Sequence, residues 1–511
     1  MKACWWQSRA FVAVCLILSM VPLLWPAIPP LTDLPGHIGR YRILSEAGQG
    51  PLAAHFGVRW AVIGNLGVDL IVLALHPVLD VEPAAKLAVM AIPVLSMGGM
   101  LWLAREAHGR IPPTAAFALP LAYGWAFQLG FVNFCLAQAL VFVGLAAWLH
   151  LARTRATWVR IVAFAVFAPL VWLCHSFGWA MLGLFAGMVE WRRRIAAGEP
   201  VLPALLRAGA MVAPMASPVL LMLHGHADAL SGDTGDWFDW GAKLQWVIAL
   251  FRERWKAWDV AGLLVMIALL YTGIRSPRLR VSGLLGWPAL AGLATFILLP
   301  RLFQGGAYVD MRMLAPSLAL AILAIAPAAG EDRLAARLAG LATMFFVARI
   351  AVTTLAFAQL AEAQARPLRA VPVLPIGGTV LTLVNEPPAS RWGNDRLTHV
   401  AGLAIARRRI FTNQQWALAG QQLVHPRHPR AAPFDRDPSH IVYPPGMVAG
   451  STDFDVAIRT FDRCSFALVW TIGFPPGRAQ ATDLSPVWSD GASAVYRVRA
   501  SRCLSRSPSV R

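Results

Sequence analysis

An acid, an imidazole and two guanidinium groups follow directly on the first apolar segment of the chain. They are Asp33, His37, Arg40 and Arg42, within the stretch Thr-Asp-Leu-Pro-Gly-His-Ile-Gly-Arg-Tyr-Arg of residues 32–42. A carboxylate near a hydrocarbon boundary loses hydration, so a fold that keeps it there usually has a partner or a use for it. We interpret Asp33 as a candidate general base and His37, Arg40 and Arg42 as candidate substrate-binding groups. The alternative is a loop or cap residue paired with Arg40 or Arg42.

Two later arginines could hold an anionic group. Arg301 and Arg312 flank a short polar loop between two apolar segments. A guanidinium fork binds phosphate through two hydrogen bonds, which makes either residue a candidate phosphate ligand. The alternative is that both are interfacial arginines that extend their charged ends to the headgroups.

The composition places these residues in a membrane protein. Of 511 residues, 57% are hydrophobic and 14% charged, which is more apolar than the roughly 45–50% of soluble domains. The formal net charge of +18 is compatible with nucleic acid or with basic cytoplasmic loops, and the many apolar segments favour the loops. We therefore expect no nucleic-acid partner. Basic groups beside a bilayer also suit anionic lipid headgroups, including polyprenyl phosphates.

The apolar segments predict about 11 transmembrane helices. We expect residues 10–28 to be an uncleaved first helix with a cytoplasmic N-terminus, followed by an external loop at residues 30–59. Residues 60–79 need not span the bilayer. Residues 159–190 are too long for one upright helix, and Cys-His-Ser-Phe-Gly at 174–178 interrupts them, which indicates a broken helix or a tight hairpin.

The composition changes after residue 365, so we predict a transmembrane domain at residues 1–365 and an external, periplasmic α/β domain at residues 366–511. Short β-like runs occur at residues 379–384, 466–472 and 494–498, and a helical pattern occurs at 397–407. The predicted fold class is thus an all-α polytopic membrane bundle with a small C-terminal α/β domain. Cys464 and Cys503 fall in this domain, and in an oxidising compartment they could form one disulfide.

Several other polar residues have a structural interpretation. Gln128, Asn133, Gln138 and His175 lie in apolar runs and should face the bundle interior. Three acids, Asp69, Asp80 and Glu82, are candidates for a second catalytic acid but are better explained as structural. One further group of residues has the side chains of a metal site, namely His425, His428, Asp435, Asp437 and His440. Prolines follow both His425 and His428, which indicates a loop and not the regular elements that usually carry zinc ligands, so we predict no metal there.

The layout resembles that of GT-C type glycosyltransferases. Protein mannosyltransferases and lipid A aminoarabinose transferases combine a first helix, an acidic external loop, many further spans and a soluble external domain. Related bacterial membrane proteins carry an Asp-Leu-Pro-x-His-x-x-Arg-like element, which Asp33, Leu34, Pro35, His37 and Arg40 match here. The stretch Phe-Gln-Leu-Gly-Phe-Val-Asn-Phe at residues 127–134 supports the resemblance more loosely.

This resemblance implies sugar transfer from a polyprenyl-phosphate carrier to an envelope lipid or glycan acceptor, in a bacterial inner membrane. It also implies that an acid in the first external loop, here Asp33, is the catalytic acid/base. Many members of the class bind a divalent cation, but this loop lacks paired acids, so no cofactor is predicted with certainty and a divalent cation stays open. The rival function is a transporter or flippase for an amphipathic lipid-linked substrate, and a third is a non-catalytic role in envelope assembly.

Overall fold

The computed structural model describes residues 4–46, 49–224, 232–386, 392–393, 396–444 and 452–499. Its helices are α1 (Arg9–Leu24), α2 (Leu34–Ser45), α3 (Gly67–Leu75), α4 (Val81–His108), α5 (Trp125–Leu129), α6 (Val132–Thr154), α7 (Thr157–Cys174), α8 (Ser176–Ala196), α9 (Val201–Val212), α10 (Pro218–His224), α11 (Trp240–Ile248), α12 (Lys256–Arg275), α13 (Gly283–Leu298), α14 (Leu314–Leu323), α15 (Asp332–Leu368), α16 (Gly402–Arg408) and α17 (Phe454–Thr460).

Short strands occur throughout the chain, and the longer ones lie near its C-terminus. They are β1 (Phe56–Val58), β2 (Leu279–Val281), β3 (Ile325–Pro327), β4 (Thr379–Asn385), β5 (Phe411–Thr412), β6 (Val424–Pro426), β7 (Ile441–Val442), β8 (Leu468–Ile472), β9 (Leu484–Ser489) and β10 (Ala494–Val498).

The chain divides into two compact units. The first unit comprises Met1–Pro26, Ala61–Ile71 and Lys86–Ala358, and the second comprises Ala27–Trp60, Val72–Ala85 and Gln359–Arg511. The stretch with Asp33, His37, Arg40 and Arg42 therefore belongs to the same unit as the C-terminal region, whereas Arg301 and Arg312 belong to the first unit.

The first unit is a helical bundle in which α8 packs against α6, α7, α9 and α13. Among the described residues, five helices are long and apolar enough to cross a membrane, namely α4, α6, α7, α12 and α15, and four further apolar helical segments are shorter. The predicted number of about 11 spans is not confirmed. The most apolar window of α6 is 83% buried, against 33% in α7 and α12, so α6 is an interior helix and the other two expose apolar surface.

The interruption predicted within residues 159–190 is confirmed, because His175 separates α7 from α8. A second apolar segment, residues 114–131, also does not form one continuous helix: it forms two 3-10 turns and the five-residue α5. Prolines at 112, 113 and 120 and glycines at 124 and 130 explain the difference, because these residues interrupt regular helix.

The second unit is built around a six-stranded mixed sheet. Strand β4 pairs in parallel with β5, β7 and β8, and β10 pairs antiparallel with both β8 and β9. The interior of β4 is buried at five consecutive positions, as expected for a strand covered on both faces. Strands were predicted at three of these places, and the predicted helix at 397–407 forms in its second half as α16.

Candidate functional site

The N-terminus of α2 places Asp33 and His37 on one side of the second unit. Leu34 and Ile38 are fully buried and anchor the helix, while Asp33 and His37 are half-buried. Asp33 holds the N-cap position, but its side chain makes no capping hydrogen bond to the α2 backbone. Its carboxylate is instead directed towards His399, with 3.8 Å between Asp33 Oδ1 and His399 Nε2.

Glycines allow α2 and α16 to approach at backbone contact. A Cβ atom added at Gly402 would lie 2.4 Å from the Pro35 carbonyl oxygen, and one added at Gly39 would lie 2.7 Å from the Gly402 carbonyl oxygen. Any other residue at either position would push the helices apart. Since the amide of Gly402 donates to the His399 carbonyl at 2.9 Å, this contact also fixes His399 relative to Asp33.

Four titratable side chains meet beside this helix contact. Asp437 Oδ1 lies 3.7 Å from His399 Nε2 and 3.9 Å from His440 Nδ1, and Asp33 approaches His399 from α2. The two histidines are buried, whereas both carboxylates are partly accessible. We call Asp33, His399, Asp437 and His440 the acid–imidazole cluster.

Burial sets the protonation states in this cluster. It lowers the pKa of His399 to about 4 and, together with the repulsion that a protonated His399 would exert, lowers the pKa of His440 well below its ordinary value. Burial also raises the pKa of Asp437 to about 7. The imidazoles are therefore neutral near pH 7, and their nitrogen lone pairs are available to accept a hydrogen bond or to bind a cation.

An aromatic surface borders the cluster. The Trp416 ring centroid lies 4.7 Å from that of His399 and 4.9 Å from that of His37. Trp416 and His37 are both half-buried, so part of each ring is accessible. Flat apolar rings next to carboxylates are a combination that can stack on a sugar ring and hydrogen-bond its hydroxyl groups.

A buried run of polar residues holds the cluster in place. Thr412, Asn413, Gln414 and Gln415 are each at most 1% exposed. The side chain of Gln415 donates through Nε2 to the Gly36 carbonyl at 3.1 Å, and the backbone carbonyl of Gln415 accepts from the Asp437 amide at 3.1 Å. The run thus links α2 to the segment that carries Asp437.

The same run reaches the two histidine segments. Gln414 Nε2 donates to the Thr398 carbonyl at 3.3 Å, and Asn413 Nδ2 donates to Ser439 Oγ at 3.2 Å. Asn413 Oδ1 also accepts from the amide of Thr382 in β4 at 2.9 Å. The sequence analysis missed this run, although four successive polar residues directly before Trp416 are a signal that could have found it.

Arg40 and Arg42 have partners within the second unit. Arg42 is buried and pairs with Glu46 and Asp80, and Arg40 donates to Gln422 Oε1 at 2.8 Å. The charge of Arg42 is therefore already matched by two carboxylates, which explains why it can be buried. Glu82 likewise pairs with Arg407, at 2.7 Å, in keeping with a structural interpretation of these acids.

In the first unit, Arg312 lies in an aromatic setting. Its guanidinium carbon is 5.1 Å from the Phe131 ring centroid and 5.4 Å from that of Phe134, and Nη1 lies 3.0 Å from His175 Nε2. Both phenylalanines come from the 127–134 stretch. Arg312 also lines a small cavity with Gln138.

Arg301 lies over the rings of Trp246 and Tyr308 and is 3.7 Å from Asp239 Oδ2. Beneath this segment, the ammonium group of Lys243 and the carboxylate of Asp310 form a buried pair at 3.0 Å. Such a pair fixes the backbone that leads to Arg312. The predicted convergence of Asp33 with Arg301 and Arg312 stays a prediction.

Three of the four polar residues predicted to face the bundle interior do so. Gln128, Asn133 and Gln138 are buried, whereas His175 is half-buried. Gln128 donates to Glu253 Oε1 at 2.9 Å, and Asn133 donates to Asp69 Oδ2 at 2.9 Å. These amides therefore hold interior segments of the first unit together.

The histidine-rich segment does not assemble as one group. His428 pairs with His55 at 2.9 Å between Nε2 and Nδ1, and Asp435 pairs with Arg436. Only Asp437 and His440 from this segment join the acid–imidazole cluster. Cys464 is disulfide-bonded, and Cys503 lies outside the described residues, so their pairing stays a prediction.

Comparison with known proteins gives two similar structures, both of ArnT from Cupriavidus metallidurans. The apo structure is 15% identical with a TM-score of 0.49, covering 96% of this chain and 98% of that chain. The structure bound to undecaprenyl phosphate is 15% identical with a TM-score of 0.48, covering 95% and 97%. No protein-family model matches the chain, and the search of curated proteins gives no match. The roles proposed below therefore rest on this chain's own residues.

Proposed function

We propose that the chain is a membrane glycosyltransferase that moves a sugar from a polyprenyl-phosphate carrier to an envelope lipid or glycan acceptor. Asp33 is the general base, and the C-terminal part of the second unit is periplasmic. The observation that carries the proposal is the position of Asp33, a partly accessible carboxylate beside His399 and next to the accessible rings of His37 and Trp416.

The chemistry of sugar transfer requires such a carboxylate. An acceptor hydroxyl is a weak nucleophile, and a base within hydrogen-bond reach removes its proton as the new glycosidic bond forms. The bond from the sugar to the phosphate breaks at the same time, and the lipid phosphate leaves with the electron pair. His399 is neutral because of its burial, so it does not neutralise the charge of the base.

The leaving phosphate requires cations, because negative charge develops on it in the transition state. In the first unit, Arg312 offers a guanidinium group that is only partly buried and that two phenylalanine rings flank. We assign it to the donor phosphate, with Arg301 as the second candidate. Arg40 and Arg42 then serve mainly to hold α2 in place.

The test separates a transferase from a flippase. In detergent micelles there are no two sides of a membrane, so a flippase has no product to form, whereas a transferase still makes a glycosylated lipid or glycan. Purified protein would be incubated with a lipid extract from a strain that lacks it, and the products would be profiled by mass spectrometry. We expect one or more species to gain a sugar mass and the lipid phosphate to be released.

The variant Asp33→Asn tests the base. Loss of a general base lowers the rate about 100- to 10,000-fold, and the fold should persist because the Asp33 side chain does not cap α2. Glu362→Gln is the matched control, since it makes the same chemical change at an exposed acid of the second unit. Transfer by Asp33→Asn at the rate of the control would show that Asp33 is not the base. A wild-type protein that forms no product in micelles would contradict the proposed transferase activity.

A further inference from the structure

Three ligand atoms of the second unit surround a space of the size that a metal ion occupies. They belong to His399, Asp437 and His440, and all lie within 4.8 Å of one another. Zinc binds nitrogen and oxygen ligands at about 2.0–2.2 Å in a tetrahedral arrangement, so two ligands of one ion are about 3.3–3.6 Å apart. The separations of 3.7 Å and 3.9 Å from Asp437 Oδ1 to the two imidazole nitrogens are slightly longer, and small side-chain rotations would bring all three atoms onto one ion.

His440 supports the assignment because it is fully buried beside a carboxylate and a second imidazole. The residue is 0% exposed, its Nδ1 lies 3.9 Å from Asp437 Oδ1, and its ring centroid lies 4.9 Å from that of His399. Polar groups enclosed in a protein interior are nearly always satisfied by a partner. A cation bound between these side chains would be that partner for the ring nitrogen that faces Asp437.

The surroundings also resemble the outer shell of a metal site. The side chain of Gln414 neighbours the His399 ring, and the carbonyl groups of Thr398 and Asn413 neighbour the His440 ring. Metal-binding histidines usually direct their second ring nitrogen to a carbonyl or carboxylate, which fixes the tautomer and the orientation of the ring. The buried polar run of residues 412–415 thus supplies acceptors where the site needs them.

We propose that His399, Asp437 and His440 bind one zinc-type divalent cation. Two imidazoles and one carboxylate favour a first-row transition metal over magnesium or calcium, which prefer oxygen ligands alone. Three protein ligands leave a coordination position open, as in catalytic zinc sites. Asp33 lies next to His399 and is positioned to contact a water or hydroxyl group bound at that position.

The metal site does not depend on the sugar-transfer proposal, because zinc content is measured without any substrate. The probe is zinc itself: the full-length protein in detergent is stripped with a chelator, titrated with zinc against a chromophoric competitor, and analysed for bound metal by mass spectrometry. We expect one zinc ion per chain. Magnesium in large excess should not displace it.

Two variants test the assigned ligands. Changes in the outer shell of a metal site weaken binding roughly 10- to 100-fold, so loss of a direct ligand in Asp437→Asn or His440→Ala should weaken zinc binding at least about 100-fold. Asp437→Asn is nearly isosteric and partly accessible, so it should stay folded even if His440→Ala does not. His425→Ala is the matched control, because it removes an exposed histidine of the same unit and should leave zinc binding unchanged.

The proposal is overturned by either of two results. One is a stripped wild-type protein that takes up no zinc at micromolar free concentration. The other is a folded Asp437→Asn variant that binds zinc as tightly as the His425→Ala control. Glycosyl transfer that persists in the zinc-free wild type would leave the metal site standing but would assign it a structural role.

Discussion

The tight contact between α2 and α16 can be tested by one methyl group at Gly402. A Cβ there would lie 2.4 Å from the Pro35 carbonyl oxygen and 2.7 Å from Gly36 Cα. Ordinary contacts of a Cβ atom begin at 3.4 Å, so α16 must move by about 1 Å in Gly402→Ala. The obstacle is backbone on the opposing helix, which has no rotamer to change.

Overpacking of this kind costs about 1–3 kcal/mol, whereas Ala in place of Gly gains about 0.5–1 kcal/mol in a helix. We therefore expect Gly402→Ala to destabilise the second unit by about 1–2 kcal/mol net, as measured by thermal or denaturant unfolding followed by tryptophan fluorescence. His399 accepts a hydrogen bond from the Gly402 amide, so the shift also moves the acid–imidazole cluster. A misplacement of about 1 Å can lower a catalytic rate about 100-fold.

Gly393→Ala is the matched control, because nothing lies within 4 Å of its added Cβ and its backbone is not in the left-handed region. It should retain full stability and activity. A Gly402→Ala protein with the same free energy of unfolding and the same rate of sugar transfer as the control would refute the argument that backbone contact between these helices positions His399.

Three further predictions concern charged and titratable groups. Arg312→Met should raise the KM for the lipid-linked donor at least about tenfold, because a charged hydrogen bond to the phosphate is lost. Arg312→Lys should raise the KM less, because it keeps the charge and loses only the two-pronged geometry of the guanidinium group. Equal KM values for both variants and the wild type in steady-state assays would refute this. Arg42→Met should lower the free energy of unfolding by about 1–3 kcal/mol, whereas Asp80→Asn should cost under about 1 kcal/mol, because the Arg42 side chain is 7% exposed and that of Asp80 is 59% exposed. Burial lowers the pKa of His428 to about 4 and also lowers the pKa of His55. As the pH falls below about 6.5, these histidines therefore bind protons in the unfolded state before they do so in the folded state. The free energy of unfolding should decrease between pH 6.5 and 4, and His428→Gln should make that decrease smaller.

The sequence predicted the broad architecture because strong local signals encode it. The apolar segments and the β-like runs each depend on a short window of residues, and β4, β8 and β10 formed close to where the pattern placed them. The number of spans was harder to predict, because an apolar composition does not exclude prolines and glycines that break a helix. Residues 114–131 show this, since they are apolar yet mostly not α-helical.

Only part of the candidate site could be predicted from the sequence. The local motif drew attention to Asp33 and His37, but the side chains around them come from residues more than 350 positions later, including His399 and Asp437. One sequence contains no signal for such a pairing. Arg42 was interpreted as a substrate ligand from its type and position alone, whereas its ion pairs with Glu46 and Asp80 depend on tertiary packing.

The distribution of hydrogen bonds in the second unit is itself an argument for function. A sheet of this size could pack entirely apolar side chains behind β4, and each buried polar group is costly unless it has a partner. The buried run of residues 412–415 meets this condition in part, through hydrogen bonds to α2, β4 and the Asp437 segment, whereas Gln414 Oε1 and Gln415 Oε1 make no hydrogen bond to the described part of the chain. His399 and His440 are buried beside this run and face Asp437. Polar groups concentrated in this way around one carboxylate and two imidazoles indicate a ligand there, because packing alone would have favoured apolar side chains at these positions.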